Sequence, residues 1–351
     1  MAVGERPTVT IRDVARAADV HVSTVSRALD PQKQWLIAEA TRLRILEVVE
    51  ELGYRPHRGA SGLRRGQTRT IGVVVPDLGN PLYAPFLRGV ARALDAADFM
   101  PLVTDTEDDH DRLVRILRHL EERRVEAVIT TAAREGDVAL LQQLRASGTE
   151  VVLAVRTLSD SGLPTVPHDD VLGGRIAVDH LLELGHRRIA QVQGPLDVEP
   201  FRARSQGCED ALAAAGLAVV ARAQAASSPT VAEGERHTLE LLRSCGDAPP
   251  TALFVQNDLL ALGALSALRS RGLRCPEDVS VVSYNDAFFA AYTQPALTTV
   301  RLPAHAIGYA AGRLALRHVA GEDGDVGTSV QPELVVRDSA AAPATGSPPA
   351  A

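Results

Sequence analysis

The sequence predicts an α/β protein in which a small all-α helix-turn-helix domain precedes a two-lobed core with parallel sheets. Three observations lead to this prediction. Residues 1–57 contain three short amphipathic segments at helical spacing, β-branched runs alternate with helical stretches from Thr70 onward, and a second series of the same kind follows Pro167. With 351 residues, the chain is also longer than one ordinary domain.

The composition is that of a globular protein, with 45% hydrophobic and 23% charged residues. No apolar run approaches the roughly 18 residues of a membrane span, and the amino terminus, MAVGERPTVTIRD, has no hydrophobic signal core. We therefore expect a cytoplasmic protein with no membrane partner. Cys208, Cys245 and Cys275 are odd in number and lack CxxC spacing, which indicates neither a disulfide framework nor a zinc site.

The charge is divided unevenly along the chain, whose formal net charge is −7. Residues 1–70 contain 12 Lys or Arg against 8 Asp or Glu, whereas the other 281 residues contain 25 against 36. An acidic body repels nucleic acid, while a basic segment can approach phosphate groups. The amino-terminal segment is therefore the candidate for nucleic-acid contact.

The first predicted helix begins at Thr10, because Thr10 and Asp13 form the pattern of a capping box. Its inward positions follow at helical spacing and are Ile11, Val14, Ala15 and Ala18. Asp19 and Val20 leave room only for a tight turn, and Asp tolerates the left-handed backbone conformation that such turns often require.

The second predicted helix, VHVSTVSRAL at residues 20–29, has two unlike faces. The face that can pack on the first helix contains Val25, Ala28 and Leu29, and the other contains Val22, Ser23, Ser26 and Arg27. Short hydroxyls can meet phosphate oxygens, an Arg can bind guanine with two hydrogen bonds, and a Val can contact a thymine methyl. We interpret the polar face as a DNA-recognition surface; on a lone helix, a merely solvated face would be the ordinary interpretation.

A third helix, EATRLRILEVVEEL, is predicted to turn Ile45, Val48, Val49 and Leu52 inward and to end at Gly53. Together with TVTIRDVARAADVHVSTVSRALD and the LGYRP that closes the segment, these helices resemble the amino-terminal domain of the lac repressor family of bacterial transcription regulators. The combination of a helix-turn-helix with LGYRP at a fixed distance makes the motif specific.

The resemblance implies roles for six residues of this domain. Val22, Ser23 and Arg27 would read bases, and Thr10, Thr24 and Ser26 would hold phosphates. Two positions depart from the family pattern, since Asp19 stands where the family usually has Gly and His21 where it usually has Ser. We expect the turn to survive and the recognition helix to lose a favourable amino-terminal cap.

The segment HRGASGLRRGQTRT, residues 57–70, has the composition of a plain linker. In the family, the same segment is a hinge helix in the DNA minor groove with a Leu wedged between base pairs, and the resemblance places Leu63 there beside Arg64. Gly59 and Gly62 each disfavour a helix by about 1 kcal/mol relative to Ala, so we expect coil until DNA orders the hinge.

The resemblance extends from Pro7 to about Asp338 and implies the two-lobed plan of periplasmic-binding-protein-like domains, with GHRRIAQVQGP and QNDLLALGAL among the shared segments. The predicted boundaries are 1–57 for the helix-turn-helix domain, 58–69 for the hinge, 70–338 for an effector-binding and dimerisation domain (lobe 1 about 70–168 and 298–329, lobe 2 about 169–297 and 330–338), and 339–351 for a disordered tail.

Polar residues follow several predicted strands, at the edge where open parallel sheets bind ligands. They are Asn80, Asn257 with Asp258, and Asn285 with Asp286. Amides and carboxylates match the donors and acceptors of vicinal hydroxyls, and Tyr83 or Phe201 can cover an apolar ring face, so a small polyhydroxylated ligand is predicted. Taken singly, Asp258 and Asp286 are equally compatible with turn chemistry or helix capping.

The family pattern implies a ligand-binding arginine at Arg204 and ligand contacts at five further positions. These are Leu82, Tyr83, Asn257, Asp258 and Asn285. Asn285 departs from the more frequent Asp, so the sugars of the best-known members do not transfer directly to this chain.

Other constellations give weaker signals. DDHD (108–111) and PHDD (167–170) group His with carboxylates but lack the spacing of metal ligands. No GxSxG, HExxH or GxxxxGK motif occurs. We therefore predict no metal, no cofactor and no enzymatic activity.

Two functions from different classes fit these observations. The first is a sequence-specific DNA-binding regulator, namely a repressor controlled by a sugar or related metabolite. It would act as a homodimer or higher assembly on a palindromic double-stranded operator, because one short recognition helix reads too few bases. It would be associated with the nucleoid when bound to DNA. The alternative is a cytoplasmic sugar-binding or sugar-modifying α/β protein with an incidental helical appendage.

Overall fold

The computed structural model describes residues 9–30, 33–54, 68–158, 160–166, 168–222, 225–246, 248–322, 324 and 330–344. The chain divides into two compact units, Met1–Thr68 and Arg69–Ala351. Most of the predicted hinge, including Leu63 and Arg64, lies outside the described residues. In the described part of the chain, no helix has the length and apolar character to cross a membrane.

The first unit is a three-helix domain. It contains α1 (Ile11–Ala17), α2 (Val22–Ala28), a 3-10 turn (Gln34–Leu36) and α3 (Glu39–Glu51). Its core consists of Val14, Ala15, Ala18, Val25, Ala28 and Ile45, all buried. Of the residues expected to face inward from the third helix, Val48 and Val49 are half-buried. Leu52 is exposed, contrary to the prediction, because it caps α3 after its last turn.

The turn between α1 and α2 has the predicted left-handed residue, since Asp19 adopts φ 49°. At the start of α1, the Asp13 carboxylate accepts hydrogen bonds from the Thr10 backbone N–H at 3.0 Å and from the Thr10 hydroxyl at 2.7 Å. These bonds lower the pKa of Asp13 below its ordinary value, with the Thr10 hydroxyl as the main cause. The predicted pairing of Thr10 with Asp13 is therefore present.

Lobe 1 of the second unit is a parallel sheet in the order β2-β1-β3-β4-β5. Its strands are β1 (Thr70–Val75), β2 (Met100–Asp105), β3 (Ala127–Thr130), β4 (Glu150–Ala154) and β5 (Thr165–Val166). Its helices are α4 (Tyr83–Asp95), α5 (His110–Glu122), α6 (Val138–Ala146) and α11 (Ala304–Val319). Strands β1, β3 and β4 are almost entirely buried and mostly apolar, as expected for strands covered by helices on both faces, whereas the edge strand β2 is partly exposed.

Lobe 2 has the sheet order β10-β9-β8-β7-β6, in which only β10 runs antiparallel to its neighbour among the described strands. Its strands are β6 (Ile189–Val192), β7 (Ala252–Val255), β8 (Ser280–Asn285), β9 (Thr298–Arg301) and β10 (Glu333–Val335). Its helices are α7 (Asp170–Glu183), α8 (Glu199–Ala214), α9 (Val231–Ser244) and α10 (Asp258–Ser270).

One predicted lobe boundary is wrong. The sequence assigned residues 298–329 to lobe 1, but β9 pairs with β8 in lobe 2 from Val282↔Thr298 to Asn285↔Arg301. The chain therefore returns to lobe 1 after Arg301, and α11 packs there against α4 and β4. The β-branched run TTVR continues the lobe 2 sheet because β8 offers it an edge.

The predicted disordered tail begins too early at residue 339. Ser339 is buried, and its hydroxyl donates to the Val281 carbonyl at 2.6 Å and accepts from the Thr298 N–H at 2.8 Å. His186 Nε2 donates to the Ala341 carbonyl at 2.8 Å. Residues 339–344 therefore belong to lobe 2, because they complete hydrogen bonds that a small, Pro-rich composition does not reveal. Residues 345–351 lie outside the described residues.

We predict that ending the chain after Asp338 will lower the free energy of unfolding by about 1–3 kcal/mol, because buried partners of Ser339 lose their hydrogen bonds. Urea denaturation measures this change. A chain that ends at residue 344 is the control and should match the full chain. Equal stability of all three chains would contradict the prediction.

Candidate functional site

Five of the eight residues expected to contact DNA lie on α2, and three of them are exposed. Ser23, Ser26 and Arg27 are exposed, while Thr24 is half-buried. Val22 is also half-buried and packs against the core of the three-helix domain. Thr10 is exposed at the start of α1, and its hydroxyl donates to Asp13.

His21 caps α2, which corrects the expectation that this helix lacks a cap. The His21 Nδ1 accepts a hydrogen bond from the Ser23 backbone N–H at 3.2 Å and lies 2.8 Å from the Ser23 hydroxyl. The tautomer in which Nδ1 carries no proton accounts for both contacts, and in it the Ser23 hydroxyl is the donor. Ser23 therefore presents only oxygen lone pairs to a partner outside the helix.

A second candidate site lies in a cleft between lobe 1 and lobe 2, where a cavity of about 250 Å³ is bounded by the carboxyl ends of several strands. Five of the six predicted effector residues line it, namely Leu82, Tyr83, Arg204, Asn257 and Asn285. Phe201 and prolines 76, 200 and 229 add apolar surface. The cavity thus combines an apolar wall with a few polar groups, the usual character of small-molecule sites.

Arg204 is the most constrained side chain of the cleft. It is buried, its Nε donates to Asp170 Oδ1 at 2.9 Å, and its Nη1 donates to the Gln256 carbonyl at 2.7 Å. The guanidinium carbon lies 3.8 Å from the centre of the Tyr284 ring, a cation–π distance. The charge of Arg204 is therefore already paired before any ligand binds.

Close packing of α7 on α8 brings Asp170 and Arg204 together. A Cβ on Gly174 would lie 2.2 Å from the Arg204 carbonyl oxygen, and a Cβ on Gly207 would lie 1.9 Å from the Val171 carbonyl oxygen. Only glycine fits at these two crossing points.

The PHDD segment, dismissed as a metal site from sequence, positions Arg204. Asp169 caps α7 by accepting from the Leu172 N–H at 2.8 Å, and His168 Nε2 lies 2.6 Å from Asp170 Oδ2. Burial alone would raise the pKa of Asp170, but Arg204 and His168 hold it well below its ordinary value. Sequence reasoning missed this pair, because it did not connect Asp170, an acid shortly after β5, with the predicted ligand-binding residue Arg204.

Asn257 and Asn285 play different parts. The Asn257 Oδ1 accepts from the Leu260 N–H at 2.7 Å and caps α10, while its Nδ2 reaches the Pro229 carbonyl at 3.5 Å. Asn285 ends β8 with φ 109° and is 9% exposed. Its buried Oδ1 accepts no hydrogen bond from the described residues. Asn285 therefore has an unpaired acceptor buried in the wall of the cleft, which a rotation of its side chain would expose to a ligand.

Asp258, the sixth predicted effector residue, is not among the described residues that line the cavity. Its carboxylate accepts from the hydroxyls of Ser283 at 2.5 Å and Thr299 at 3.0 Å, and from the Ala287 N–H at 2.6 Å. Asp258 thus fixes the ends of β8 and β9. Burial raises its pKa to about 6, although these hydrogen bonds oppose the shift.

Sequence reasoning also missed two charged residues of lobe 1 that line the cavity, Asp108 and Arg156. Arg156 is buried after β4, and its Nη1 donates to Asp108 Oδ1 at 2.7 Å. Asp108 also accepts from Arg134 at 2.8 Å. Both residues follow strands, so the strand-end rule that selected Asn257 and Asn285 would also have selected them.

Comparison with known proteins identifies relatives of both units of the chain. Residues 10–57 match bacterial regulatory proteins of the lacI family, and residues 178–340 match the periplasmic binding protein-like domain. The HTH-type transcriptional repressor PurR of Aliivibrio salmonicida (strain LFI1238) is 34% identical over 343 residues, which cover 94% of this chain and 98% of that protein.

Two solved structures are similar over almost the whole chain. A lac repressor dimer bound to operator and the anti-inducer ONPF is 26% identical with a TM-score of 0.84, covering 95% of this chain and 99% of that one. A complex of the transcriptional regulator CelR with cellobiose is 32% identical with a TM-score of 0.70, covering 95% of this chain and all of that one.

We predict a pH-dependent stability term from Asp258. Because its folded pKa is about 6 and its ordinary value 3.8, the folded state binds the proton more tightly, and this residue's contribution to stability declines as pH rises between those values. Asp258→Asn removes the titration. The stability of the natural chain relative to this variant should therefore fall by on the order of 3 kcal/mol from pH 4 to pH 7.

Urea denaturation at several pH values measures that difference. Asp278→Asn is the control, because Arg274 lowers the pKa of this exposed carboxyl and its contribution has the opposite sign. Parallel stability profiles of the natural chain and Asp258→Asn would contradict the prediction.

Proposed function

The chain belongs to the lacI family of bacterial regulatory proteins, and from this premise we propose that it is a repressor that binds a palindromic operator as a homodimer and is switched by a small polyhydroxylated metabolite bound in the cleft. It is a DNA-binding transcription regulator and not an enzyme. The relatives named above support this function over a sugar-modifying protein with an incidental helical appendage.

The exposed polar face of α2 is the observation on which the DNA-binding proposal rests. Ser23 and Arg27 face solvent beside one another on a short helix in the basic part of the chain. We assign base contacts to Val22, Ser23 and Arg27, and phosphate contacts to Thr24 and Ser26. We also assign a phosphate contact to Thr10, whose hydroxyl must turn from Asp13 to the phosphate oxygen to make it. The half-buried Val22 has only part of its side chain available for a thymine methyl.

The assignment of Leu63 and Arg64 to the minor groove also belongs to the proposal. It rests on the sequence pattern alone, namely a single apolar residue among arginines and glycines.

The cleft supports the effector proposal. Its cavity of about 250 Å³ is near the lower limit of small-molecule pockets, roughly 300–1,000 Å³, which favours one ring with its substituents over an oligosaccharide. Tyr83 and Phe201 offer ring faces, while Arg204 and Asn285 offer donors and an acceptor. CelR in complex with cellobiose is a relative whose ligand is a carbohydrate.

Exposed apolar residues of the second unit support a homodimer. In lobe 1, β2 is an edge strand with Met100 71% exposed. In lobe 2, Phe288 and Tyr292 are 78% and 85% exposed on the segment that follows β8. Burying such side chains stabilises an association, and the similar lac repressor structure is a dimer. Two copies would present two recognition helices to a two-fold site.

Effector binding and DNA binding must be coupled reciprocally if the cleft controls the operator. A coupling free energy of about 1–3 kcal/mol changes occupancy roughly 5- to 150-fold and changes effector affinity by the same factor.

We predict that Ser23 selects bases with an exocyclic amino group. Because its hydroxyl hydrogen is given to His21, the oxygen can only accept, and in the major groove adenine and cytosine offer the matching donors. In a library of half-sites, Ser23→Ala should abolish the base preference at one position. At that position, the natural chain should bind adenine or cytosine about 3- to 10-fold more tightly than the other bases.

His21 variants test the cause of that preference. His21→Ala frees the hydroxyl to donate as well and should weaken the preference, whereas His21→Asn keeps an acceptor at the cap and should retain it. A preference for guanine or thymine at that position in the natural chain would refute the proposed role.

We also predict that the two sites are separable by mutation. Arg27→Ala should abolish operator binding in a gel-shift assay and leave the ligand-induced rise in melting temperature intact. Asn285→Gly suits the positive φ, removes the free acceptor and should weaken ligand affinity about tenfold with operator binding retained. Loss of both properties in either variant would contradict the assignment.

A further inference from the structure

The charges around the cleft cavity are paired within the protein. Two arginines are among the described residues that line the cavity, and each has a carboxylate at hydrogen-bond distance: Arg204 has Asp170 at 2.9 Å and Arg156 has Asp108 at 2.7 Å. Both guanidinium groups are nearly fully buried, so water screens these pairs little. The cavity therefore presents hydrogen-bond donors without a surplus of positive charge.

Two further acids belong to the wall, and of these Asp77 adds negative charge that no ion pair among the described residues offsets. Glu107 and Asp77 both line the cavity. Glu107 forms an ion pair with Arg112, and the Asp77 Oδ1 accepts from the Gly79 N–H at 2.7 Å. An anion that entered would lose its hydration and meet carboxylates beside every arginine of the lining, which is unfavourable in a partly desolvated site.

The free acceptor at Asn285 adds a second requirement. Its Oδ1 is buried, has no partner among the described residues, and belongs to a residue that lines the cavity. Leaving such an oxygen unpaired costs about 1–3 kcal/mol, so a ligand that donates to it gains affinity. A hydroxyl or amide group can donate there, whereas a carboxylate or a dianionic phosphate cannot, so this acceptor disfavours an anionic group where that group takes the place of the donor.

We propose that the cleft selects uncharged ligands and excludes their phosphorylated or carboxylated counterparts, with Asp170 and Asp108 as the residues that determine this specificity by neutralising Arg204 and Arg156. The inference rests on the proposed effector site and names its ligand class. Asp170 acts through Arg204 and is a positioning and charge-neutralising residue.

Matched ligand pairs test this proposal in the full-length protein. Each hexose, pentose and nucleoside is compared with its own phosphate ester, and each sugar also with the uronic acid of the same skeleton. Binding is measured by thermal shift and calorimetry at constant ionic strength. An uncharged compound that binds should bind at least tenfold more tightly than its anionic counterpart. An anionic counterpart that binds the natural protein as tightly as the uncharged compound would overturn the proposal.

Asp170→Asn keeps an oxygen acceptor for Arg204 but removes the neutralising charge. The ratio of the affinity for the uncharged ligand to the affinity for its anionic counterpart, called the gap below, should therefore fall at least tenfold. Asp108→Asn frees Arg156 at a more exposed position and gives the same test if burial makes the first variant unstable. Asp77→Asn is the matched control, because it removes a charge from the cavity wall without freeing an arginine, and its effect on the gap should be smaller.

A gap that is unchanged in both Asp170→Asn and Asp108→Asn, or narrowed equally by Asp77→Asn, would overturn the role of the ion pairs. Failure of the proposed function has a different signature. In that case an uncharged ligand would bind with the expected selectivity, but operator affinity would not change.

Discussion

The buried ion pair between Arg204 and Asp170 is the interaction on which the architecture of the cleft depends. Burying a single charge in a protein interior is costly, so neither side chain can be placed without the other. Arg204 comes from α8 and Asp170 from α7, while the Gln256 carbonyl and the Tyr284 ring come from the ends of β7 and β8. One guanidinium thus fixes two helices and two strands at the same point.

Polar groups behind this pair complete the same wall. The Gln256 side chain donates to Ser205 at 2.7 Å and to the Phe201 carbonyl at 3.0 Å, and it accepts from the Gly194 N–H at 2.9 Å. Because these buried groups are all paired, the aromatic ring of Phe201 is held in place beside the cavity. The site is preorganised by interactions that a ligand does not have to supply.

Periodicity and strand-end placement were sufficient to predict much of this molecule. The faces of α2 followed from helical spacing, and Asn257 and Asn285 followed from their positions after buried strands. The same rule failed for Asp258 because adjacent residues at a strand end turn in different directions, and the buried hydroxyls of Ser283 and Thr299 were closer partners than a ligand. Their approach depends on β9, which the sequence had assigned to lobe 1.

Other errors arose where a partner is distant in sequence or unusual in kind. His21 caps α2 with a ring nitrogen, whereas the expectation considered only short oxygen-bearing caps. The order of residues 339–344 depends on Val281, Thr298 and His186, which lie far away along the chain. Asp170 was dismissed because its cluster was tested only for metal binding, and the arginine that explains it lies 34 residues further on.

The backbone conformation at Asn285 limits how this regulator can diverge. With φ 109°, the position tolerates Asn, Asp and Gly far better than residues with larger or branched side chains. Of these, only Asp is one nucleotide change away from an Asn codon, and it brings a charge into a cleft that is already acidic. Among relatives, this position is therefore expected to stay within Asn, Asp and Gly, while larger changes of ligand come from the walls around it.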